Sequence, residues 1–219
     1  MKFFEIAGSA MPSLMQGLLK TLEITALSLV FATMIGLLLC MMQLSSSKFL
    51  GVIARIYVDC MRGLPVMVLS FFIYFGVAQA LSIRISSDVA SVVTLALNAG
   101  AYLSEIFRGG IQAVNIGQME AARSLGLPYG RAMRKVILPQ AIRIVIPSMV
   151  NQFIITLKDT SILSVIGMVE LTQSGKLIIA RNFKSFEIWL TVGVIYIVVI
   201  TILSRVSRMI ERRMAVGKR

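Results

Sequence analysis

Glu120-Ala121-Ala122-Arg123-Ser124-Leu125-Gly126, followed after nine residues by Val136-Ile137-Leu138-Pro139, is a polar island between long apolar segments. Arg123, Arg131, Arg134 and Lys135 hold it in water against something acidic or polar. Met, Glu, Ala, Arg and Leu favour a short helix up to Gly126, where a positive φ costs little. Pro128 suits the first turn of a second helix, on which Tyr129, Met133 and Val136 recur at near-helical spacing. Two short helices at an angle are expected. Ala121 and Ala122 would leave room for another protein to approach, and Pro139 and Pro147 would punctuate the path back into the apolar phase. From pattern alone the island is either a docking surface or a solvated loop with incidental helicity.

Composition sets the surroundings. Of 219 residues 57% are hydrophobic and 15% charged, with mean hydropathy +0.86, far too apolar for a water-soluble domain of this size. The formal charge of +12 does not read as nucleic-acid binding, because the basic residues are spread between apolar runs instead of gathered on one polar face. There is no histidine, and Cys40 and Cys60 have no CxxC spacing, so neither a zinc site nor a disulfide framework is supported. No small-residue cleavage pattern follows the first apolar run, which is therefore expected to stay.

Five segments are long enough to cross about 30 Å of hydrocarbon as helices: roughly 22–42, 64–81, 89–107, 144–168 and 188–203. The predicted fold class is an all-α membrane bundle of five spans, one domain over residues 1–219, with a loop at about 112–141. Lys and Arg divide unevenly between alternate connections. One side carries Lys48, Arg55, Arg62, Arg108, Arg123, Arg131, Arg134, Lys135, Arg143, Arg205, Arg208, Arg212, Arg213, Lys218 and Arg219. The other carries Lys2, Lys20, Arg84, Lys176, Arg181 and Lys184. The island should face the cytoplasm, with the N-terminus outside and the C-terminus inside. Trp189 suits an interfacial anchor at the outer end of the last span, or ordinary helix packing. Gly36, Gly76 and Gly193 are expected to be close-packing positions.

Glu-Ala-Ala, three residues, Gly, nine residues, an aliphatic residue, one residue and Leu-Pro resembles the signature loop of the membrane subunits of ABC importers, with Val136 at the usual isoleucine position. Other stretches narrow the resemblance to polar amino-acid uptake permeases: residues 17–22 at the first span, Arg62-Gly63-Leu64-Pro65 before the second, 100–111 through the third, and Lys158-Asp159-Thr160-Ser161 in the fourth. Leu64 stands where that family often has Thr or Ser, and Leu69 where Gln is frequent. The resemblance implies a type I importer fold in a bacterial plasma membrane and a coupling helix seated in a cytoplasmic ATPase. The coupling residues would be Glu120, Ala121, Ala122, Gly126, Leu138 and Pro139, with Glu120 pairing with a basic group of the partner and Gly126 setting the angle. It further implies two copies of the ATPase holding ATP and Mg, an external substrate-binding protein, and a homodimer or a heterodimer with a second permease. No cofactor is expected in this chain, and without a GxxxxGK[ST] loop it cannot itself cradle ATP phosphates.

Glu105, Lys158 and Asp159 fall at or near membrane depth, where each charge costs about 2.5–3.5 kcal/mol on insertion scales. Adjacent helical residues point about 100° apart, so Lys158 and Asp159 cannot both face lipid-free space by pairing only with each other, and Glu105 is the expected cross-helix partner of Lys158. Asn98, Tyr102 and Glu105 share a face of the third span, and Asn151 and Lys158 a face of the fourth. Together with Thr160 they form either a polar network holding the bundle together or a pathway contacting the ammonium and carboxylate of an amino acid. An ion-coupled secondary carrier could use the same charges as a relay, although no inverted repeat supports one. A membrane enzyme finds no nucleophile with a base among these residues.

Overall fold

The computed structural model describes residues 2–215, and the side chains of residues 3–209. Lys2, Arg212, Arg213, Lys218 and Arg219 of the charge distribution lie outside the described side chains. Eight helical segments follow one another: α1 (Lys2–Leu44), α2 (Lys48–Gly63), α3 (Val66–Ala80), α4 (Ser87–Gln112), α5 (Ile116–Ser124), α6 (Tyr129–Ile166), α7 (Leu171–Asn182) and α8 (Ser185–Ala215). Among the described residues α1, α4, α6 and α8 are each long and apolar enough to span a bilayer. The pair α2 and α3, bent by 105°, makes the fifth if counted as one span.

Three features depart from expectation. The first helix begins at Lys2, not near Leu22, and its 43 residues rise about 65 Å, well beyond the hydrocarbon thickness. Its N-terminal half is held by packing: Ala10 and Leu14 are buried with Leu171, Ile188 and Val192. In the expected second span, 64–81, the helix Val66–Ala80 is too short to count as a span without α2, which ends at Gly63 because Pro65 lacks an N–H. The second short helix expected after Pro128 does not exist separately, since Tyr129 starts the continuous α6. Pro139 is absorbed there by a wide turn over Met133–Ile137, in which the Leu138 N–H reaches back to the Met133 carbonyl. Pro147 lies inside the helix without ending it.

The helices α1 and α4 run parallel and form the most extensive helix pair. Lys20 bridges Asp88 at one end, and Gln43 and Gln112 line one cavity at the other. Their contact depends on small residues: a Cβ at Gly36 would lie 2.9 Å from the Leu103 Cβ, and one at Gly100 would lie 2.8 Å from the Ile35 Cγ2. Gly36 is thus a packing glycine as expected. Gly193 and Gly76 are not: nothing stands within 4 Å of a Cβ at the first, and only the Phe72 ring, at ordinary contact distance, meets one at the second. Ile24, Leu69, Ile73, Leu95, Leu163 and Met168 close the core between α1, α3, α4 and the end of α6.

Candidate functional site

The island lies at the end where α4 stops. The Asn115 side chain caps α5 by accepting from the Gly117 N–H at 2.8 Å. At the other end Gly126 adopts φ +83°. The Gly126 N–H donates to the Arg123 carbonyl and the Leu127 N–H to the Ala122 carbonyl, the paired bonds of a Schellman ending. Pro128 follows, and Arg131 and Ala132 donate to its carbonyl as α6 starts. The result is a stiff elbow, not a loose loop. Glu120 and Ala121 are exposed, and so are Ile116, Leu125 and Tyr129, at 74%, 84% and 59%. Ala122 does not offer close approach to a partner, because it is buried. Leu138 is half-buried and Pro139 exposed, on the first turns of α6 and not on the elbow.

A second feature lies above it, where a cavity of about 390 Å³ is walled by Arg55, Asp59 and Arg62 of α2 and by Glu105, Arg108 and Gln112 of α4. Arg62, expected in a connection, instead lies in the last turn of α2, exposed, with its guanidinium 5.2 Å from the centre of the Tyr102 ring. Asn98 donates to the Met61 carbonyl at 3.1 Å. Glu105 binds Arg108, one turn along its own helix, and not Lys158. The expected pairing fails because one turn of helix brings Glu105 and Arg108 together on a single face. Asn98, Tyr102 and Glu105 do share a face, and that face looks at α2.

The candidates on α6 are not gathered with them. Asn151 and Lys158 are exposed and Asp159 is half-buried, while Thr160 is fully buried and donates to the Leu157 carbonyl at 2.6 Å. Composition-based reading missed both the polar stripe of α2 and Glu170. The spacing of Arg55, Asp59 and Arg62 at i, i+4 and i+7 was the available signal for the stripe. Glu170 is fully buried. Its carboxylate caps α7 by accepting from Thr172 N–H at 2.8 Å and Gln173 N–H at 2.6 Å, and takes a third bond from the Tyr196 hydroxyl at 3.0 Å. Burial pushes this carboxyl above its usual range, against the opposing pull of those donors.

An all-helical bundle with apolar membrane-span helices and a capped elbow at one end is the architecture of a helical integral membrane protein. Residues 28–216 match the sequence profile described as the binding-protein-dependent transport system inner membrane component. The chain belongs to that family. It is 40% identical over 208 residues to the glutamine transport system permease protein GlnP of Escherichia coli K12, covering 94% of this chain and 95% of that one. It is 35% identical to the arginine transport system permease protein ArtQ of Bacillus subtilis, covering 93% of each. The crystal structure of an amino acid ABC transporter with histidines superposes with a TM-score of 0.89 at 39% identity, over 93% of this chain and 94% of that one. The inward-facing MetNI methionine ABC transporter shares the fold, with a TM-score of 0.78 at 20% identity, over 93% and 97% of the two chains. Both of these solved structures are of ABC transporters, and none of the four relatives is described as a carrier driven by an ion gradient.

Proposed function

We propose that this chain is the membrane-spanning subunit of an ATP-driven importer of a polar amino acid, with glutamine and arginine the first substrates to test because GlnP and ArtQ are named for them. The observation that carries this is the elbow of α5, Gly126 and α6. A capped helix with exposed Glu120, Ala121 and Leu125 is joined through one left-handed residue to a helix that spans the bundle, so a push on α5 is transmitted as tilt instead of being absorbed. A cytoplasmic ATPase, present in two copies and holding ATP and Mg, supplies the push, and an external binding protein delivers the amino acid.

In this reading the N-terminus lies outside and the C-terminus inside, and two permease chains, identical or related, enclose the path. Lys158 and Asn151, exposed on one face of α6, line it together with Asp159. Glu105, Tyr102 and Asn98 face α2 instead and belong to the polar network that holds the bundle together. Reconstitution with the ATPase and binding protein in liposomes tests the proposal. Gly126→Pro and Glu120→Lys should leave the chain in the membrane while separating ATP hydrolysis from uptake. Normal uptake in both variants would overturn it.

A further inference from the structure

Two cavities at the end opposite the elbow meet at one ion pair. The first, about 510 Å³, is an open groove between α1 and α4 with aliphatic and aromatic walls that include Ile24, Leu27, Phe31, Val92 and Val93. The second, about 460 Å³, is mixed, with Ser13, Gln16, Ser174 and Arg181 lining it beside Leu177 and Ile178. Lys20 and Asp88 belong to both and bridge at 2.7 Å across the neck, with Glu23 3.2 Å from the same ammonium.

We infer that this pair of cavities is a binding site for one phospholipid with an amine headgroup, its acyl chain in the groove and its headgroup in the second chamber. Three observations select that occupant. From Lys20 to Ile35 the groove follows α1 for about 22 Å, enough for an extended chain of ordinary membrane length. At the neck two carboxylates face one ammonium, an excess of negative charge that suits a primary ammonium, while Arg181, which forms no ion pair among the described residues, offers a fork for the phosphate. Trp189 also stands beside the chamber: a Cβ at Gly175, next to Ser174, would lie 3.5 Å from its ring, and Trp concentrates where headgroups begin. A second protein helix would fill the groove but would leave the second chamber and its arginine unused.

The inference rests on the chain being a membrane subunit, but its test reads lipid and not transport. The assembled transporter is purified from nanodiscs of phosphatidylethanolamine or of phosphatidylglycerol and examined by native mass spectrometry. Expected is one retained phosphatidylethanolamine per copy of this chain, at about tenfold higher occupancy than phosphatidylglycerol. Leu27→Trp, which fills the groove from a position 44% exposed, should strip the lipid while the ATPase stays bound. Asp88→Asn combined with Arg181→Ala should abolish the headgroup preference but keep some lipid. No retained lipid in the unmodified complex, equal retention in Leu27→Trp, or a disulfide between Val93→Cys chains showing that a second copy covers the groove would each overturn the proposal. Retained lipid in a complex that imports nothing would count only against the transport reading.

Discussion

The side-chain amide of Asn98, midway along α4, donates to the main-chain carbonyl of Met61, two residues before α2 ends and the chain turns through 105°. The Met61 carbonyl has no intrahelical donor, because the residue four positions on is Pro65, which lacks an N–H. Asn98, 5% exposed, supplies the missing N–H. Arg62 in the next position presses its guanidinium over Tyr102, one turn further along α4, so the bend is held from a single face.

Asn98→Leu therefore leaves a half-buried carbonyl unpaired and should lower stability by about 0.5–1.5 kcal/mol. Thermal unfolding of the purified assembly, followed by intrinsic fluorescence, should show a clear drop in midpoint. An unchanged midpoint would mean that the bend is supported without this bond.

Gly126 at φ +83° carries the elbow. A residue with a Cβ is strained there by roughly 1–2 kcal/mol, and a β-branched one by more, whereas Asn tolerates the conformation. Gly126→Val should lower ATP-dependent uptake much more than membrane abundance, and Gly126→Asn should restore most of it. A Cβ at this position meets nothing within 4 Å, so loss of uptake in Gly126→Val reports on backbone geometry and not on a clash within the chain.

Buried Glu170 makes stability depend on pH. Its carboxyl is raised above its ordinary value by burial, so over the interval from about 4.3, the unfolded value, up to the folded one, the native state holds a proton that the unfolded state has released. Stability should therefore fall as pH rises through that interval and level off above it. Melting of the complex between pH 4 and 8 should show this slope, and Glu170→Gln should flatten it. Glu170→Ala removes the cap of α7 as well and should cost about 0.5–2 kcal/mol more broadly across pH.

Much of this architecture was legible in one dimension. The long apolar runs marked the spans because composition alone decides whether twenty residues can leave water, and the elbow was readable because Gly126 and Pro128 act through local backbone geometry. What could not be read depends on neighbours. The helix α2 is amphipathic, and its arginines passed for connection residues until Asn98 and Tyr102 provided something for its end to rest against. Pro139 suggests a break, yet a wide turn just before it keeps α6 continuous. The helical phase relating α4 to α6 is not written in either segment, which is why Glu105 was assigned to Lys158 when Arg108 holds it.

That reassignment can be tested energetically. If Glu105 belongs to Arg108, the double variant Glu105→Gln, Arg108→Gln should show a coupling of up to about 1 kcal/mol in unfolding, limited because both side chains keep contact with solvent. Glu105→Gln with Lys158→Gln should be additive. On the proposed reading Lys158 and Asp159 act on the translocating molecule, so Lys158→Gln and Asp159→Ala should each reduce uptake while leaving the melting midpoint and ATPase association unchanged. A measured Glu105 to Lys158 coupling equal to that of Glu105 and Arg108 would restore the cross-helix pair. Loss of assembly in Asp159→Ala would make these charges part of the bundle's internal bonding instead of its pathway.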